Sequence, residues 1–163
     1  MIDMERQTLI VFVALVFAIA IFGVWFALES QQQVAGEGFG IYLLENDTLI
    51  ISDVDILSYN KTSHGIDLTD GCAKRLGEAK TSIFGRFVIR INAEDVYYGT
   101  FVPPFVSRSY PSSEPVIMTP PLSGSYDFVK IQMGYPFDQP QDVDPRNNSK
   151  IFDYFQKVGK LIQ

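Results

Sequence analysis

The sequence predicts an α+β domain carried behind one membrane-spanning helix. Three observations lead there. Residues 8–28, TLIVFVALVFAIAIFGVWFAL, contain no charge. Further on, β-rich apolar runs arrive in pairs joined by turn-forming residues, as in a mostly antiparallel sheet. Two segments with apolar residues at helical spacing stand apart from those pairs, which favours helices packed on one face of the sheet. With 163 residues the chain holds one domain with a modest core.

The elements follow in order. Residues 1–7 form a short tail. At 1.5 Å per residue the run 8–28 is about 30 Å long, matching the hydrocarbon core of a bilayer. It offers no polar face, which a water-exposed helix needs. A cleaved signal peptide is the competing reading. Against it, the run is long for such a peptide, and Glu29, Ser30 and three glutamines follow in place of small residues. Arg6 precedes the span and the next Lys or Arg is Lys61, so the bias is N-terminus cytoplasmic with the remaining chain outside. Trp25 suits the outer interface. Residues 29–38, small and polar, read as a linker, and the folded domain is expected over 39–163.

FGIYLLENDTLIIS, from Phe39, is a hairpin turning at Asn46-Asp47. Ser52 then caps a short helical turn in which Asp53 and Asp55 suit the N-terminal end, Ile56 and Leu57 point inward, and Tyr59-Asn60 closes it. SHGIDL places Ile66 and Leu68 on one face of a strand. Thr69 caps a helix whose stripe is Cys72, Leu76 and Ala79, with Lys74, Arg75 and Glu78 in water. FGRFVIRIN and EDVYYGTFV are strands separated by Asn92-Ala93; Phe87, Ile89 and Ile91 share one face, Arg86 and Arg90 the other. Residues 103–125 hold six of the nine prolines and read as a long stiff excursion with a short strand at 116–118. YDFVKIQM is a further strand. A helix from Ser149 carries Ile151, Phe155, Val158 and Ile162 on one stripe.

Charge excludes one class of partner. Taking Arg6, Asp3 and Glu5 from the totals of 13 basic and 19 acidic residues leaves 12 and 17 over residues 29–163, a net of −5 without a basic stripe. A nucleic-acid partner is therefore not expected. The lone cysteine, Cys72, cannot close an intrachain disulfide. Triplets of the N-x-S/T type at Asn46, Asn60 and Asn147 are weak signals of glycosylation.

Catalytic and metal motifs are missing. His64 is the only histidine, so a zinc site would lack its usual Cys and His partners, and no G-x-S-x-G elbow occurs. Cys72 sits on an apolar stripe, where a thiol is usually core. Asp53 and Asp55 lack the rest of a calcium loop; Asp142 and Asp144 suit a solvated loop better than a cation site. Phosphate-cradling glycine patterns are absent. No catalytic, cofactor or metal residue is expected. The Pro-rich excursion does suggest a partner surface, because apolar side chains on a stiff loop lose little entropy on docking. Tyr110, Val116, Ile117 and Met118 are the expected contacts; packing of the loop over its own sheet is the alternative.

The order Asp55-Ile56, Ile66-Asp67-Leu68-Thr69, Gly71, the strand Phe87 to Ile91, Val96-Tyr97 and Pro115-Val116-Ile117 resembles the first large extracytoplasmic domain of the SecD family. SecD is an accessory membrane protein of protein export. The resemblance covers about residues 41–119 and rests on short motifs. It implies a domain that meets polypeptide or a neighbouring membrane protein outside the cytoplasm. SecD has several spans with working residues inside them, whereas this chain shows one uncharged span, so translocation energetics do not transfer.

The expectation is a single-pass, non-enzymatic protein of the cell membrane. Its extracytoplasmic domain would meet another membrane protein or an unfolded polypeptide. The competing class is a membrane-tethered hydrolase or metal-dependent enzyme using His64 and nearby aspartates. A ligand sensor is a third reading, disfavoured by the seven-residue tail.

Overall fold

Alternating apolar residues after Phe39 build the first hairpin, β1 (Phe39–Leu43) and β2 (Thr48–Ser52), which turns through Asp47 in the left-handed region at φ 56°. The computed structural model describes residues 37–79, 83–103, 107–119, 126–139 and 142–163. The expected tail, span and all but the end of the linker lie outside them. Among the described residues no helix is long and apolar enough to cross a membrane.

A 3-10 turn at Asp53–Asp55 leads to β3 (Ile56–Asn60), β4 (Gly65–Leu68) and helix α1 (Asp70–Ala79). Next come β5 (Gly85–Ile91), β6 (Glu94–Val102), β7 (Tyr110–Met118) and β8 (Phe128–Tyr135). A 3-10 turn at Pro145–Asn147, helix α2 (Ser149–Lys157) and the two-residue β9 (Leu161–Ile162) complete the domain. The described strands form one sheet in the order β2-β1-β5-β6-β7-β8-β4-β3-β9, antiparallel except for β6–β7 and β3–β9. The fold is α+β, with a large, mostly antiparallel sheet and two helices among the described residues.

One core joins sheet and helices. Phe39, Ile41, Phe87, Ile89, Phe101, Ile117 and Ile131 meet Cys72 and Leu76 of α1 and Ile151 and Phe155 of α2. The Phe155 ring stacks on Tyr59 at 4.8 Å and tilts against Phe39 at the same distance. Fully burying a side chain of this size stabilises by about 1.5–3 kcal/mol.

Three expectations change. Residues 56–60 are a strand, and a β-bulge between Ile56 and Ser58 shifts its alternation so that Ile56 and Tyr59 are both buried while Leu57 is 60% exposed. The Pro-rich excursion contains the nine-residue β7. Parallel pairing of β6 with β7, Thr100 opposite Val116, requires the chain to travel back before it can run alongside. Pro111 lies within the break of the β7–β8 register and Pro115 at its edge, so missing N–H groups cost little. Lastly, α2 ends before Gly159, which takes a left-handed φ of 72°. Val158 and Ile162 therefore leave the helical stripe and are exposed.

Candidate functional site

The aspartates of residues 52–70 are mostly occupied in holding the fold. Asp53 accepts a hydrogen bond from the Tyr154 hydroxyl at 2.7 Å. Asp55 accepts from the Ser52 N–H and hydroxyl and forms a bidentate pair with Arg75. Burial alone would raise the Asp55 carboxyl, but the bonds from Arg75 and Ser52 outweigh it and hold it below 3.8. Asp67 accepts from the Ser58 hydroxyl across β3 and β4. Asp70 is exposed in the first turn of α1, which Thr69 caps through the Cys72 N–H.

His64 turns the chain between β3 and β4 at φ 54°, and its ring is buried. Its Nδ1 lies 3.0 Å from the Tyr59 hydroxyl. The carboxylates nearest in electrostatic effect come from the loop after β8, not from residues 52–70. There Arg146, 2% exposed, is gripped by both oxygens of Asp144, by Asp138 at 3.2 Å and by the Ile131 carbonyl at 2.8 Å. Burial, and then the Arg146 guanidinium, lower the His64 pKa below 6.5. Asp144 is thus a buried ion-pair partner in place of the expected solvated loop residue. Among the described residues, no three His, Cys, Asp or Glu side chains gather as metal ligands would. Burial, with Asp55 beside it, pushes the Cys72 thiol up to about 11.

The expected partner residues separate. Val116 and Ile117 are wholly buried inside the sheet, between β6 and β8, and present nothing to a partner. Their β-rich triplet is a central strand, not a loop tip. Met118 is half-buried, and Tyr110, at the start of β7, is also half-buried and lines a cleft.

That cleft, of about 510 Å³, is lined by the start of β5, the end of β6 and the start of β7. Phe84, 59% exposed, and Tyr110 contribute aromatic surface; Arg86, Arg108, Glu45 and Glu114 contribute charge. Gly85 takes φ 105°, and a Cβ there would strike the Glu45 carboxylate, so glycine lets that carboxylate approach the strand. Glu114 accepts from the Thr100 hydroxyl, and the Arg108 guanidinium lies 5.4 Å from the centre of the Tyr110 ring.

Arg86 and Thr100 also belong to the sheet face turned away from the helices' buried side chains. Val88 is in register with Tyr42 on one side and Tyr98 on the other, and Arg86 and Arg90 flank it along β5. Arg90 sits 4.8 Å from the Tyr42 ring centre and Arg86 5.8 Å from that of Tyr98. Val88 is consequently fully buried, with arginines and tyrosines covering it on this face. Sequence placed Arg86 and Arg90 on this face. It gave no sign of Phe84, Glu45, Arg108 or Glu114 as neighbours, nor of the Arg146 cluster.

No family model matches the chain, and neither a curated protein nor a solved structure matches it.

Proposed function

We propose that residues 37–163 form a non-enzymatic interaction domain, held outside the cytoplasm on a single span at residues 8–28. Its partner is another membrane protein or an unfolded polypeptide, in an accessory role to a membrane complex or to protein export. The observation that supports this reading most is the open cleft beside Tyr110. It offers aromatic surface and charge of both signs at the margin of a sheet face that the helices leave alone. The aspartates near His64 in sequence, by contrast, are engaged in bonds that hold strands and turns. Tethering raises the domain's effective concentration toward other membrane components.

A photoactivatable cross-linker placed at position 110 of the full chain in native membranes tests the reading. A discrete adduct with another protein is expected from position 110. The exposed position of Leu57 on β3 serves as the control and should give none. Adducts of equal yield from both positions, or from neither, would remove the cleft from the function. Ile117→Ser is a poor alternative, since that side chain is core and its loss would unfold the domain before it tested binding.

A further inference from the structure

We infer that the cleft takes a carboxylate from an acidic polypeptide segment, with Arg86 and Arg108 as its anchors and Phe84 and Tyr110 against a neighbouring apolar residue. The inference deepens the interaction-domain reading and rests on it. Five arginines lie among the described residues. Arg75, Arg90 and Arg146 are ion-paired with aspartates of the same chain. Arg86 and Arg108 have no such pair among the described residues, and both line this cleft. The cleft's own carboxylates do not neutralise them. Glu45 faces the Gly85-Arg86 backbone, accepting from the Arg86 N–H, and Glu114 takes the Thr100 hydroxyl.

Each free guanidinium instead sits by a tyrosine ring, Arg86 by Tyr98 and Arg108 by Tyr110. A ring contact restrains the planar group while its N–H fork remains available to an anion, and that fork matches a carboxylate in two parallel bonds. Two exposed guanidinium groups outside the ion pairs of the described residues therefore share one cleft. The exposed Phe84 ring makes a bare inorganic anion a poor fit and favours an anion attached to apolar matter. A polypeptide with glutamate or aspartate beside a large apolar residue meets both demands.

The test uses the full chain in detergent micelles and two fluorescent nine-residue peptides. One has glutamate-phenylalanine-glutamate at its centre, the other glutamine-phenylalanine-glutamine. The glutamate peptide should bind at least about tenfold more tightly, with an affinity that falls as salt is added. Arg108→Gln should weaken it several-fold, and Arg86→Gln with Arg108→Gln should abolish it. Unchanged melting of Arg108→Gln, an exposed site, separates lost binding from lost folding. Equal binding of the two peptides, or full binding by folded Arg108→Gln, overturns the proposal. So does complete displacement by inorganic phosphate at concentrations where chloride has no effect, which would reassign the site to phosphate. If the glutamate peptide fails while cross-linking at position 110 succeeds, the carboxylate proposal falls and the interaction reading stands. The opposite pair of results sinks the interaction reading and leaves the anion site.

Discussion

Arg146 stays charged at 2% exposure because Asp144, Asp138 and the Ile131 carbonyl occupy its donors. Removing one member of such a cluster strands the others. Arg146→Leu should therefore destabilise the domain by about 3–5 kcal/mol in denaturant titrations. His64 lies beside this cluster with its pKa below the ordinary 6.5, so the unfolded chain binds the proton more readily than the folded one. Stability from this residue is complete above pH 6.5 and declines as pH falls through the lower, folded value. His64→Asn keeps a side chain tolerant of the left-handed backbone and should lose that step of the pH–stability curve. None of this cluster was legible in sequence. QDVDPRNN reads as a solvated loop, because composition shows charges and not the strand end that covers them.

At the scale of elements, β6 depends on what Gly99 lacks. A Cβ there would run into the Phe87 ring and the Pro115 carbonyl of the parallel neighbour β7. Gly99→Ala should cost about 1–3 kcal/mol and lower the melting temperature, because rigid backbone stands on one side of the collision. The β5–β6 turn offers the opposite change. Ala93 sits at φ 65°, where its Cβ is strained and glycine is not. Ala93→Gly should raise stability by about 0.5–1 kcal/mol despite the added freedom of the unfolded chain, measurable by the same melts. The β1–β2 and β5–β6 hairpins and the stripe of α1 were legible because adjacent residues and a local period decide them. The pairing of β6 with β7 and of β3 with β9 was not. Parallel neighbours are joined by long returns, and nothing in PVIM or LIQ marks which strand each will meet. Gly159 carried the one local hint that the last helix stops short.

Across the whole molecule, carboxylates secure its separate parts. Asp55 ties the first 3-10 turn to α1, while Asp138 and Asp144 fasten the loop before α2. Burial raises each of the three, but their hydrogen bonds outweigh it, and all three fall below 3.8. Their stabilising effect is full above that value and disappears as pH falls through their folded pKa values. Acid unfolding below about pH 4 is expected, and a circular-dichroism titration that stayed flat to pH 2 would contradict it. The cleft illustrates why the site was only partly readable. It draws on residues 45, 84–86, 100, 101, 103, 108–111 and 114, which come from stretches of chain far apart in sequence. Tyr110 was chosen from sequence for its place among prolines, and it lines the cleft. Val116 and Ile117 were chosen by the same reasoning and proved to be interior, since apolar residues on a stiff loop and apolar residues on a central strand look alike in one dimension.

Cys72 gives the molecule an internal clock. Sealed beneath α1 and un-ionised near neutral pH, its sulfur is out of reach of a maleimide until that helix lifts. Labelling kinetics of the unaltered chain thus read out how often the domain breathes open. On a shorter timescale, a reporter attached through Tyr110→Cys would be the only dye on the protein.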